Sequence, residues 1–112
     1  MNIQIFAAKR GFDVQKAERW FKERRIPYQF VDLSKKGMSP RELESVARAV
    51  GLKALIRLSD DDWESHYAAQ LTDTRAALEM LSQKPALLNT PIVRNGSKAT
   101  VGYCPDVWSD WT

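Results

Sequence analysis

The chain has 112 residues, 44% hydrophobic and 28% charged, a balance that suits one folded domain over residues 1–112 and excludes a disordered chain. Seventeen Lys and Arg against fourteen Asp and Glu give a net charge of +3, too small to argue for nucleic acid. Cys104 is the only cysteine and His66 the only histidine, which excludes an internal disulfide, a CxxC redox pair and a cysteine or multi-histidine metal centre.

Apolar runs are only a few residues long, so no transmembrane helix is expected. The first residues, Met1 to Phe6, lack the basic region and apolar core of a signal peptide, and a cytoplasmic location is the expectation. Ile3, Ile5 and Phe6 mark a first strand over 2–6, followed by a loop over 7–12. Asp13 is the expected N-cap of a helix running to about Arg25, with Val14, Ala17, Trp20 and Phe21 as its buried stripe. Pro27 forbids its continuation, and residues 28–33 read as a second strand. Ser39-Pro40-Arg41-Glu42 carries a capping serine, a proline in the first turn and the glutamate of a capping box. Leu43, Val46, Ala47 and Val50 form the stripe of that helix, and Gly51 its C-terminal cap.

Residues 52–72 are ambiguous, with Leu55 and Ile56 as buried candidates and Trp63–Leu71 as a helix or an ordered loop. Thr72 or Asp73 caps a further helix to about Leu81, with Ala76, Ala77, Met80 and Leu81 facing inward, and one more helical turn covers 85–88. Asn95-Gly96 between 90–94 and 98–102 signals a hairpin. Val107, Trp108 and Trp111 fall at helical spacing in a last helix from Pro105. The first two strands, joined by a helix, should be parallel with a right-handed crossover, and the last two antiparallel. The expected fold class is α/β and thioredoxin-like: a mixed four-stranded sheet flanked by helices.

Lys16-Ala17-Glu18-Arg19-Trp20-Phe21, Tyr28-Gln29-Phe30-Val31-Asp32-Leu33, Leu87-Leu88-Asn89-Thr90-Pro91-Ile92-Val93-Arg94 and Gly102-Tyr103 together resemble the arsenate reductase (ArsC)/Spx family of thioredoxin-fold proteins. The resemblance covers nearly the whole chain. It implies a cis peptide bond before Pro91, beside the active-site loop. It also implies a nucleophilic cysteine just before the first helix, where the helix dipole and free N–H groups stabilise a thiolate. That position is Gly11 here, and its neighbours Lys9, Arg10, Phe12 and Asp13 carry no thiol or hydroxyl. Of the family's three oxyanion-binding arginines, Arg57 matches one. The second falls at Thr90 and the third near Cys104, while Arg94 is basic but off-register.

The leading expectation is therefore an ArsC-like protein without the cysteine, redox-impaired, that binds an anion or a protein. Lys9, Arg10, Phe12, Arg57, Thr90, Pro91 and Arg94 are the candidate anion-site residues around Gly11. One alternative is a thiol-dependent oxidoreductase that uses Cys104 with glutathione or another external thiol; the plain reading of Cys104 is an inert thiol at a turn. Another is an Spx-like regulator that binds the RNA polymerase α-subunit, although the CxxC switch of Spx is missing. No metal and no tightly bound cofactor are expected, and no membrane partner. His66 reads as structural rather than a general base, Asp60-Asp61-Asp62 as a solvated turn rather than a cation site, and Trp108 and Trp111 as packing residues.

Overall fold

In the computed structural model, which describes residues 2–57 and 74–111, strand β1 (Ile3–Ala7) lies at the centre of the sheet. Strand β2 (Tyr28–Asp32) pairs with it in parallel, and β3 (Ile92–Asn95) pairs antiparallel on the other side. Strand β4 (Lys98–Val101) pairs antiparallel with β3, giving the order β2-β1-β3-β4. The mixed sheet and its helical flanks are those expected from the sequence.

Side chains alternate across a strand, so the two sheet faces carry different cores. Ile3, Ile5 and Val93 meet Ala17, Trp20 and Phe21 of α1 (Phe12–Glu23), and Trp108 of the C-terminal helix, on one face. Trp108 is fully buried, and its indole Nε1 donates to the Thr100 hydroxyl at 2.8 Å. Trp20 and Phe21 pack on it with ring centroids 5.5 and 5.0 Å away. On the other face, Phe6 and Ile92 meet Leu43 and Val46 of α2 (Pro40–Val50) and Leu55 of α3 (Leu52–Leu55). Leu78 and Leu81 of α4 (Thr74–Gln83) complete that core. A short 3-10 turn (Pro85–Leu87) leads into β3, and α5 (Pro105–Trp111) follows β4. Among the described residues, no helix is long and apolar enough to cross a membrane.

The α2 start is as its sequence predicts: the Ser39 hydroxyl accepts from Glu42 N–H, and the Glu42 carboxylate accepts from Ser39 N–H, both at 3.1 Å. Other boundaries differ. Asp13 does not cap α1; Gly11 does, with no side-chain bond, and Asp13 sits in the first turn, where its charge suits the helix dipole. The same helix ends at Glu23, earlier than the expected Arg25. Its closing bonds run from Ile26 N–H to the Phe21 carbonyl and from Arg25 N–H to the Lys22 carbonyl, with Arg25 left-handed at φ 57°. This is the Schellman closure, with arginine where glycine is usual. In the hairpin, Asn95 pairs with Lys98 as the last residue of β3, so Gly96-Ser97 is the turn, with Gly96 at φ 62°. Leu78, not Ala76, joins Ala77 and Leu81 in the core, and Val107 is exposed. The readings made for Asp60–Asp62, Trp63–Leu71, His66 and the Thr72 or Asp73 cap lie outside the described residues.

Gly37, in the loop before α2, is held by close approach. A Cβ there would stand 2.8 Å from the Ser82 carbonyl oxygen at the end of α4 and 3.3 Å from Pro85 Cγ. Backbone cannot give way as a flexible side chain would. We expect Gly37→Ala to lower unfolding free energy by about 1–3 kcal/mol, read by urea denaturation, whereas Gly11→Ala, with nothing within 4 Å of the added Cβ, should change it little.

Candidate functional site

The backbone leaves β1 at Ala7, turns through Lys9 and Arg10, and enters α1 at Gly11. The end of β1 is thus joined through a short loop to the start of α1. A helix start of this kind favours negative charge through its dipole and unpaired donors.

A second segment approaches from α3. Arg57 N–H donates to the Leu87 carbonyl at 2.6 Å, and Asn89 N–H to the Leu55 carbonyl at 2.7 Å. Ile56 and Leu88 form an isolated antiparallel bridge. The Asn89 side-chain amide closes the joint by donating to the carbonyls of Ala54 and Ile56, both at 3.0 Å. Arg57 is thereby fastened beside Thr90, the residue after Asn89. The Thr90–Pro91 bond is cis, as the family resemblance implies. On the far side of Pro91, its carbonyl accepts from Gly102 N–H at 2.8 Å.

These segments meet in an open concavity of about 490 Å³ lined by Lys9, Gly11, Phe12, Asp13, Arg57 and Thr90, with Val14 beneath. Five positions that the sequence singles out, Lys9, Gly11, Phe12, Arg57 and Thr90, are brought together. Phe12 stands 84% exposed on the rim. Asp13 belongs to the same lining and opposes the charge of Lys9 and Arg57. A carboxylate in the first turn of α1 is readable from the sequence, but its reading as a cap hid this role.

Other candidates lie elsewhere. Arg10 turns away: its guanidinium lies 4.1 Å over the Phe30 ring, and its Nε donates to Glu18 at 3.2 Å. Arg94 is on β3 and reaches the opposite side, where its Nη1 is 3.6 Å from Glu42. Pro91 is buried behind the concavity rather than among its lining residues. Cys104 stands at the start of α5, half-buried, with its thiol donating to the Val101 carbonyl at 3.4 Å. It is not among the lining residues of the concavity. Burial pushes its thiol above the ordinary thiol range; the Thr100 hydroxyl opposes that shift, and the charge of Asp13 adds to it.

The sequence profile of the ArsC family matches residues 7–111. The chain belongs to the ArsC family. A curated relative, an uncharacterised protein of Haemophilus influenzae, is 23% identical over 103 residues, 90% of each chain. An arsenate reductase structure from Vibrio cholerae superposes with a TM-score of 0.77 at 18% identity, covering 98% of this chain and 97% of that one. An arsenate reductase (ArsC) related protein from Brucella melitensis gives 0.65 at 23% identity, covering 99% and 94%. At these identities the structures establish a shared fold. Within the ArsC fold of this chain, the concavity lies at the carboxyl end of the central strand, where ligands of open α/β sheets bind.

Asn89 is the residue that sequence reasoning missed. It lies inside a quoted motif, but nothing in the string says that its amide holds the Arg57 segment 33 residues away.

The state of Cys104 gives a direct expectation. A thiol whose pKa is raised is protonated at neutral pH, and its thiolate appears only as pH rises past the ordinary value of about 8.5. Alkylation of the folded protein by iodoacetamide should be several-fold slower at pH 7 than that of glutathione, with a rate still climbing above pH 9. A plateau near neutral pH would contradict this environment.

Proposed function

We propose that this ArsC-family chain is a non-reducing anion-binding protein, whose cradle is formed by Lys9, Arg57, Thr90 and the start of α1. One observation carries the reading. Gly11, at the position that the family resemblance gives to the nucleophile, caps α1 on the same concavity as the two cations and Thr90. Reduction by the family chemistry needs a thiolate there to attack the oxyanion, and glycine offers no atom that can.

The electrostatics favour a weak, exchangeable ligand. Lys9 and Arg57 supply two positive charges and the helix dipole roughly another half. Asp13 removes one. The site is open to solvent, so each interaction is screened. A dissociation constant on the order of 1 mM for inorganic phosphate follows from such a balance. Phe12 adds an apolar contact at the rim, which suits an anionic group carried on a larger molecule, such as a protein partner, better than a bare ion.

Cys104 supports an enzymatic reading poorly. Its thiol is held in the protonated form by burial, and it donates to a backbone carbonyl instead of facing Gly11's concavity. A glutathione-dependent reaction through Cys104 would require that thiol to leave this setting.

Phosphate titration of the full chain, followed by amide NMR shifts at Phe12–Val14 and Thr90, tests the proposal. Arg57→Ala should weaken binding by about fivefold or more, and Asp13→Asn should tighten it by removing the opposing charge. Shifts that are absent, or indifferent to both changes, would overturn it.

A further inference from the structure

Helices α1 and α5 cover the same face of the sheet, and the proposed cradle leaves most of their outer surface unused. Aromatic side chains join the two. Trp20 of α1 packs on Trp108 of α5 with ring centroids 5.5 Å apart, and Lys16 Nζ lies 5.8 Å over the Tyr103 ring. An open groove of about 340 Å³ runs along this junction, lined by Lys16, Arg19, Trp20, Glu23, Arg24 and Tyr103. Among the described residues, the large apolar side chains left exposed are Phe12, Tyr103 and Val107. All three belong to this layer: Phe12 opens α1, Tyr103 stands at the groove, and Val107 is on α5. Exposed apolar side chains gathered on one layer, with Trp and Arg among them, mark an interaction surface.

Charge is divided between the two helices. Lys16, Arg19 and Glu23 follow one another at i, i+3 and i+7, so they share the outward face of α1, while Val14, Ala17 and Phe21 take the buried one. Arg24 is pinned at the same groove: its guanidinium lies 4.1 Å over the Trp20 ring, and its Nη1 donates to the Trp20 carbonyl at 3.2 Å. The groove therefore holds three cations against the one carboxylate of Glu23. Helix α5 is the opposite. Its charged residues are Asp106 and Asp110, one turn apart and exposed, with the exposed Val107 beside them. Lys16, Arg19, Asp106 and Asp110 form no ion pair among the described residues.

The partner that fits the groove is thus an acidic helix carrying an exposed apolar residue, and the chain itself presents one on the same layer. In a two-fold pair both copies use the same patch, so a groove-to-helix contact is made twice. We propose that this layer is a self-docking face: two copies associate about a two-fold axis, each seating its α5 against the other's α1 groove. Val107 of one copy then meets Trp20 and Tyr103 of the other, and Asp106 and Asp110 meet Lys16 and Arg19. The surplus positive charge of the groove matches the two carboxylates of α5. One groove and one short helix per half make a small, largely polar contact, so the dissociation constant is on the order of 100 μM. The contact does not rest on the anion-binding reading of the Gly11 concavity.

Sedimentation velocity of the full chain from about 10 μM to about 1 mM should show a monomer giving way to a dimer. Two charge-reversed variants test the pairing: Lys16→Glu with Arg19→Glu, and Asp106→Lys with Asp110→Lys. All four positions are exposed, and each variant alone should self-associate at least about tenfold more weakly. Mixed in equal amounts, the two should associate again. In that mixed pair one half carries reversed charges on both sides and the other half the original ones. Val107→Ser, which alters no charge, should weaken the dimer several-fold. The proposal is overturned if the chain stays monomeric to about 1 mM, if neither reversal weakens the dimer, if mixing restores nothing, or if Val107→Ser has no effect. A monomeric chain that binds polyglutamate through Lys16 and Arg19 also overturns it, in favour of a docking face for a different acidic protein.

Discussion

Strand β1 must be covered on both faces, and the rest of the molecule follows from that requirement. It is paired on both edges, and Ile3, Ile5, Phe6 and Ala7 are all buried. No backbone group of such a strand can turn to solvent, so neighbours on each side must complete its ladder. Helix α1 and Trp108 close one face, and α2, α3 and α4 close the other. The loop that leaves β1 then delivers Lys9 and Gly11 to the sheet's end. Gln4 is the one polar residue of the strand.

The concavity depends on a second, smaller constraint. Arg57 and Thr90 come from segments far apart in sequence, and four hydrogen bonds between residues 54–57 and Leu87 and Asn89 lock them side by side. Two of the four come from the Asn89 side-chain amide. It satisfies two carbonyls that would otherwise lie unpaired at the joint, so its role is positional. The electrostatics of the site rest on this joint, because a cation only a few ångströms further out would be screened by water. Asp13 limits the field. Its carboxylate favours the helix dipole and so stabilises α1, while it weakens the attraction for any anion. Stability of the helix start and affinity of the cradle pull in opposite directions at this residue.

Much of the fold was legible because its signals are local. Ser39, Pro40 and Glu42 define a helix start within four residues, and Val14, Ala17, Trp20 and Phe21 define a buried face by spacing alone. The hairpin was legible in existence but not in register: Asn-Gly marks a turn, yet pairing placed Asn95 in the strand and left Gly96-Ser97 to turn. Asp13 misled for a related reason. Aspartate is a good cap in general, but Gly11 already had the extended geometry that the cap position needs, and the helix began earlier. The site was legible in part. Gly11, Arg57 and Thr90 were aligned by resemblance, and the structure puts them on one concavity. Arg10 and Arg94 carry the right charge in the wrong direction, because strand alternation and the stacking on Phe30 decide where each points. The role of Asn89 depends on contacts between distant segments that no local pattern encodes.

The central claim is that Gly11 disarms a site whose surroundings persist. A thiol placed there reads those surroundings directly. In the Cys104→Ser background, Gly11→Cys leaves one thiol, and its added atoms meet open space. Its pKa, followed by thiolate absorbance and alkylation rate across pH, should fall clearly below the free value of about 8.5, lowered by the α1 start, Lys9 and Arg57 against the opposition of Asp13. Arg57→Ala should raise it again. A thiol that titrates at or above the free value, and does not respond to Arg57, would show that no anion-stabilising cradle exists around Gly11.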